Sequence, residues 1–339
     1  MQLVYNDESA LDPSVNRVRI QQFLDRDKVQ LLLGGAGIPA AYLLREMAEA
    51  AKVVYIDTNA SADALTRSPA GCRPSCRSTF VFRSAPSSWQ MSGPLGEWVS
   101  KNGRRDFFVV TGDDAFGTES AAAFIAGLAK NGGTASGRLT VPAKSGADWA
   151  KVIAAIKSQP AKNVFAAFVT DDAEGLVAAW NVAGMRAAGF MLAGPGPLAD
   201  HQVLSATKQA AIGITTAFPW SSELDNAENK AFAAEFKKAY TDDTTGQPLL
   251  PDGYAFEMWN AMRVVEEALK ATKGITANTD ALIAALESVS FNGPGGAFAF
   301  DRATHSALHD IYIREVKASG GTLVNAVVDK IATVKDPGQ

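Results

Sequence analysis

Residues 29–66, VQLLLGGAGIPAAYLLREMAEAAKVVYIDTNASADALT, decide how the rest of the chain is read. Two apolar runs, Leu31–Leu33 and Val53–Ile56, bracket a segment in which Leu43, Leu44, Met47 and Ala51 recur at helical spacing. The pattern predicts strand, helix, strand. Each strand runs into a loop of small or polar residues, and the first loop opens the helix. Ligands of open α/β sheets bind at the carboxyl ends of strands, so the stretch predicts a binding site.

Two ligand classes fit it. Gly35, Gly37 and Ala40 match G-x-G-x-x-A, and Asp57 ends the next strand close to the spacing of about 20 residues expected for an acid that holds a ribose. An NAD-dependent oxidoreductase follows from that match. Alternatively, the glycines only turn the chain tightly and bring helix-start N–H groups to a small anion. The stretch by itself leaves both open.

The bulk properties narrow the choice. A chain of 339 residues is longer than one hydrophobic core usually serves, so two domains are expected. A net charge of −4 and a pI near 5.5 argue against nucleic acid or an anionic membrane as the main partner. No apolar run approaches the roughly 18 residues of a membrane span. The start, Met1-Gln2-Leu3-Val4-Tyr5, has neither the basic nor the apolar region of a secretory signal. Cys72 and Cys76 share a loop rich in Arg, Pro and Ser, and are expected to form a small local disulfide in an oxidising compartment. With no histidine close in sequence they do not predict zinc.

Strands and helices alternate along the chain, which predicts an α/β fold with a parallel sheet and crossover helices. Expected strands are Leu3–Tyr5, Thr79–Arg83, Phe107–Thr111, Val164–Val169, Met191–Ala193, Ile212–Ala217, Asp310–Val316 and Leu323–Val328, with a turn and short strand at Gly293–Phe300. Expected helices include Asp148–Ser158, Asn226–Tyr240, Tyr254–Ala271 and Asn278–Ser288. Polar Asn102-Gly103-Arg104-Arg105 and the Phe218-Pro219-Trp220 loop mark candidate crossings between domains.

In that order, several segments resemble the leucine/isoleucine/valine-binding family of periplasmic solute-binding proteins, the receptor component of ABC uptake transporters. They are Val4-Tyr5-Asn6-Asp7-Glu8 with Asp12-Pro13, Gly34 to Ala51, Thr58-Asn59-Ala60-Ser61, Asp114-Ala115-Phe116-Gly117, Asp148-Trp149, Tyr254-Ala255, Gly293 with Gly296, and Phe300-Asp301. The likeness covers nearly the whole chain, whereas the dinucleotide fingerprint covers only one strand-helix-strand unit. It implies two Rossmann-like lobes joined by a multi-strand hinge and closing over one small ligand. Lobe I would be 1–104 plus about 221–310, and lobe II about 105–220 plus 311–339. The resemblance also implies a monomer in the periplasm with an ABC permease as partner, no cofactor and no metal. A ligand sensor built on the same fold is a further alternative.

The chain departs from the family in two places. One strand-helix unit that family members carry before the segment at Leu3 is missing, which predicts an unpaired sheet edge and exposed apolar surface. Where the family often has a serine hydroxyl for a ligand carboxylate, Ile38-Pro39 stands here. A carboxylate would then rest on the N–H groups of Gly37, Ala40 and Ala41, since Pro39 can donate nothing.

The expected ligand residues are Gly37, Ile38, Ala40, Asn59, Ala60 and Ser61 in lobe I, and Thr170, Asp171, Phe218, Trp220 and Asp252 in lobe II. Asn59 and Ser61 could instead cap the next helix, and Phe218 and Trp220 could be core. An amino-acid ligand needs an acceptor for its ammonium, for which Asp171, Asp252 and Asp114 are candidates. Without one, a small aromatic acid fits better. His201, His305 and His309 sit near no nucleophile, and Asp113-Asp114 and Asp171-Asp172 precede helices, where negative charge is favourable for its own reasons. No catalytic residue is expected.

Overall fold

The computed structural model describes residues 2–8, 12–68, 77–143 and 146–338. Cys72 and Cys76 lie outside them. In chain order the elements begin with α1 (Pro13–Asp25), β1 (Leu31–Gly34), α2 (Ile38–Ala51), β2 (Val54–Asp57) and β3 (Val81–Arg83). Then come α3 (Ser88–Lys101), β4 (Asp106–Gly112), α4 (Ala115–Ala129), β5 (Thr134–Val141), α5 (Trp149–Lys157), β6 (Asn163–Ala167), α6 (Thr170–Val182), β7 (Met191–Pro195), α7 (His201–Thr207), β8 (Thr215–Phe218) and α8 (Ala227–Ala239). The chain ends with α9 (Gly253–Ala271), α10 (Thr279–Leu286), β9 (Ser290–Gly293), β10 (Gly296–Asp301), β11 (Ser306–Ser319) and β12 (Thr322–Val334).

These fall into two compact units: Met1–Ser87 with Tyr254–His309 and Lys335–Gln339, and Ser88–Gly253 with Asp310–Val334. The chain leaves the first unit after Ser87, not at the polar break near Arg104, because α3 packs on α4 and belongs with it. It returns after Gly253, beyond the Phe218–Trp220 loop.

In the first unit β1, β2 and β3 are parallel neighbours, with Leu32 opposite Tyr55 and Ile56 opposite Phe82. The start of β11 lies beside β3, and β10 and β9 follow it antiparallel. One face of the sheet is sealed by Val54, Ile56 and Phe82 against Ala261, Val264 and Leu282. On the other, Leu32, Tyr55 and Val81 pack with Leu43, Leu44 and Met47 of α2, the helical stripe that the sequence predicts.

Residues Leu3–Tyr5 are not the expected strand. They form no ladder and stand 60%, 41% and 92% exposed, and β1 has a strand on one side only among the described residues. A strand without a neighbour leaves its backbone groups to water and gains no cross-strand packing, so the apolar residues alone do not hold it extended.

In the second unit the parallel order is β5-β4-β6-β7-β8, and the end of β11 runs antiparallel to β8, with Tyr312 opposite Phe218. Its core joins Phe108, Val110, Val164, Ala166 and Leu192 of the strands to Val152, Ile156, Leu176 and Trp180 of the helices. Strand β5, which the sequence reading lacks, is the half-exposed edge. Its burial alternates along Thr134–Val141, and Ser136 and Gly137 blunt the apolar signal.

Candidate functional site

The first unit builds an anion seat at the carboxyl end of β1. Gly34 and Gly35 have φ of +150° and +94°, values that need no Cβ in the way. At Gly35 a Cβ would lie 2.5 Å from Tyr55 Oη and 2.6 Å from Asp57 Oδ1, so the backbone can pass only as glycine. Gly37 is extended and caps α2 without a side chain, and Pro39 in the first turn forfeits no bond because the first-turn N–H groups have no helical acceptor. Ala41 is the first to donate within the helix, to Gly37 O at 3.0 Å, which withdraws it from the expected set of ligand donors. The N–H groups of Gly35, Ala36 and Gly37 converge instead, at 3.1, 3.2 and 3.2 Å, on the carboxylate of Glu8. Ile38 and Ala40 follow directly, Ala40 being buried.

Asp57 backs this loop. It is fully buried; Tyr55 Oη donates to its Oδ1 at 3.2 Å, the N–H of Ala60 donates to the same oxygen at 3.2 Å, and Oδ2 has no partner. Burial pushes its carboxyl well above the ordinary range, with the Glu8 charge adding to the effect and Arg83, Ala60 and Tyr55 opposing it. An acid so enclosed cannot reach a ribose, which removes the anchor of the dinucleotide reading.

Beyond β2, Asn59 Nδ2 donates to Glu257 Oε2 at 2.7 Å, while Thr58 Oγ1 lies 2.8 Å from Asn59 Oδ1. Glu257, on α9, is buried. The amide of Asn59 is therefore held by an acid 198 positions away, a partner that local sequence does not announce. Ala60 is buried and Ser61 half-buried. Neither Asn59 nor Ser61 caps a helix: the short turn Asp63–Leu65 starts from Ala62 with no side-chain cap.

The second unit places its expected residues in different settings. Thr170 begins α6 at φ +47°, with Asp171 exposed in the first turn. Trp220 is core: its indole N–H donates to Asn229 Oδ1 at 2.7 Å and its ring packs edge-on to Phe232. Phe218, also buried, lies under Arg314, whose Cζ is 5.0 Å from the ring centre. Gly253 closes on the same ring, a Cβ there lying 3.2 Å from it. Asp114 caps α4 by accepting from Gly117 N at 2.8 Å, and Asp113 accepts from Ala143 N, so the two acids are not an acid–base pair.

Arg314 was not anticipated. It is buried on β11, donating from Nε to Thr216 Oγ1 at 3.1 Å, from Nη1 to Trp220 O at 2.7 Å and from Nη2 to Gly196 O at 3.4 Å. Burial lowers its pKa to about 9, and Asp200 pulls the other way. Asp200, itself pushed up by burial, caps α7 through Val203 N, and Asp252 contributes to its shift. Phe218 thus packs on Arg314, whose charge is influenced by Asp200, and that of Asp200 by Asp252. The signal in sequence is a lone arginine inside the apolar run Ile311-Tyr312-Ile313-Arg314-Glu315-Val316.

Comparison with known proteins adds the following. A family model described as periplasmic binding protein matches residues 2–322. The Leu/Ile/Val-binding protein homolog 6 of Brucella suis biovar 1 (strain 1330) is 26% identical over 341 residues, covering 100% of this chain and 83% of that protein. A solute-binding protein of an ABC transporter from Rhodopseudomonas palustris BisB5, solved in complex with 3,4-dihydroxybenzoic acid, is 29% identical with a TM-score of 0.87, covering 98% of this chain and 86% of that one. An ABC transporter substrate-binding protein from Sphaerobacter thermophilus is 27% identical with a TM-score of 0.89, covering 98% and 88%.

Proposed function

The chain belongs to the periplasmic binding protein family, and on that premise we propose that it captures a small aromatic carboxylate as the periplasmic receptor of an ABC permease. It is a solute-binding protein of an ABC transporter with the α/β fold of that class, and the family is not one of enzymes. On the same reading the protein works in the periplasm as a monomer that delivers its ligand to the permease.

One observation carries the ligand class. The seat at Gly35–Gly37 donates three backbone N–H groups to a carboxylate, and backbone donors at a helix start favour that charge without a basic side chain. Ile38 and Ala40 follow the seat along the first turn, Ala60 packs with Ile38 and Ala41, and with Asn59 and Ser61 they make the set proposed for the first unit. The Rhodopseudomonas relative's bound acid has the required group and no ammonium. In the second unit Thr170, Asp171, Phe218 and Asp252 remain the proposed ligand-side set, while Trp220 is committed to the core by Asn229 and Phe232.

A branched-chain amino acid is the second reading, favoured by the Brucella relative's name and by the buried acid Glu257 beside Asn59. A thermal-shift series separates the two. A ligand held only by the folded state at 100 times its Kd adds about 2.7 kcal/mol of stability, which is easily read as a rise in Tm. Benzoate and 3,4-dihydroxybenzoate are expected to raise Tm, with leucine, isoleucine and valine giving little and NAD nothing. A rise with the amino acids alone transfers the assignment to the second reading. A rise with NAD alone refutes both.

A further inference from the structure

The carboxylate in the anion seat belongs to the chain itself. Glu8 reaches from the exposed segment 2–8 across 27 to 29 positions to accept from Gly35, Ala36 and Gly37. We propose that Glu8 is an internal competitor for the seat, setting the protein's affinity for carboxylate ligands by having to leave before one can bind. This rests on the reading of the seat as the ligand's carboxylate site.

The geometry supports it in three ways. First, the carboxylate binds the loop in a two-pronged manner, Oε2 to Gly35 and Ala36 and Oε1 to Gly37. That matches how a free carboxylate would use the same donors, so both cannot be seated at once. Second, among the described residues the segment carrying Glu8 is held by little else. Among the described residues Leu3, Val4 and Tyr5 are exposed and join no ladder, and Arg19 Nη1 donates to the carbonyl of Asp7 beside Glu8. Third, the wall behind the loop suits any carboxylate in this place. A ligand carboxylate replacing Glu8 puts beside buried Asp57 the same charge that Glu8 already puts there, so the exchange adds no repulsion.

When a binding-competent state is only a fraction of the population, the apparent Kd rises by the inverse of that fraction. Releasing the seat by Glu8→Gln should therefore tighten 3,4-dihydroxybenzoate or benzoate on the order of ten-fold. Asp7→Asn is the control: it removes the same charge from the neighbouring exposed position, and is expected to leave affinity within about two-fold because general charge screening acts on both alike. Titration calorimetry on wild type, E8Q and D7N decides, with circular dichroism and Tm showing that each is folded.

Tightening in E8Q but not D7N supports the competitor. Equal tightening in both makes the effect general electrostatics and overturns it. Unchanged or weaker binding in E8Q, with wild type binding normally, makes Glu8 a structural brace and also overturns it while leaving the proposed function standing. If no variant binds any carboxylate, the proposed function fails and this inference with it.

Discussion

Replacing Gly35 by alanine tests the construction of the seat at its tightest point. The residue has φ +94°, where an L side chain costs about 1–2 kcal/mol. The new methyl would also meet Tyr55 Oη at 2.5 Å, Asp57 Oδ1 at 2.6 Å and Ala41 Cβ at 3.1 Å. Tyr55 and Asp57 are fully buried and hydrogen-bonded to each other, so neither can swing away freely, and overpacking of this kind costs about 1–3 kcal/mol. Together the terms give about 2–5 kcal/mol, or a fall in Tm of roughly 4–20 °C for a unit of this size. Gly274→Ala isolates the backbone term, because Gly274 has φ +77° with nothing within 4 Å of a Cβ, and should cost only about 1–2 kcal/mol. Differential scanning calorimetry gives both values, and calorimetric titration gives the loss of carboxylate binding expected only for Gly35→Ala. If the two variants melt together and bind alike, the wall of Tyr55 and Asp57 does not shape the loop and the account of the seat is wrong.

Two further predictions concern buried charge. Asp336 accepts from Arg67 Nε at 2.8 Å and Nη2 at 2.9 Å, from Ser87 Oγ at 2.5 Å and from Arg83 Nη2 at 3.4 Å, with its own side chain fully buried. Asp336→Ala leaves two arginines without it and should cost about 3–5 kcal/mol by denaturant titration; a cost near zero would mean that the arginines find other partners. Burial alone would raise the Asp336 carboxyl, but Arg67, Arg83 and Ser87 together hold it below the ordinary value, so its stabilisation is present above about pH 4 and is lost as pH falls through the folded-state value. His305 behaves in the opposite sense from a paired histidine. Burial, with Arg77, lowers its pKa below 6.5 against the bond to Glu287 Oε1 at 2.9 Å, so the unfolded chain takes up the proton first. Stability should therefore fall as pH drops below about 6.5, and His305→Asn should flatten that slope in Tm against pH; an unchanged slope would assign the pH dependence to other groups.

The strand-helix-strand unit was legible because its apolar spacing is local: Leu43, Leu44 and Met47 do face β1 and β2. The glycines of the seat were legible for the same reason, since a turn from strand to helix that brings backbone to an anion needs them where they stand. The occupant of the seat was not. Glu8 lies in a stretch whose Leu3-Val4-Tyr5 reads as a strand, and its bonds to Gly35, Ala36 and Gly37 span 27 to 29 positions that local patterning does not link. Asp57 shows why the dinucleotide fingerprint misled: residue spacing places an acid at a strand end but says nothing of Tyr55 and Ala60 enclosing it. Asn59 with Glu257, and Arg314 with Trp220 and Gly196, are contacts between distant segments whose pairing depends on sheet order. Arg314 alone left a trace, as a charge in an apolar strand.

The most direct test of the central claim is a calorimetric comparison of 3,4-dihydroxybenzoate with its methyl ester, which keeps the ring and hydroxyls and removes the charge. Charge-assisted hydrogen bonds contribute about 1.5–3 kcal/mol each, so losing two of them predicts at least about 100-fold weaker binding of the ester. Binding of the acid with the ester undetectable or weaker by that factor is the expected result. Equal binding of acid and ester would contradict the claim that the N–H groups of Gly35, Ala36 and Gly37 hold the ligand by its carboxylate.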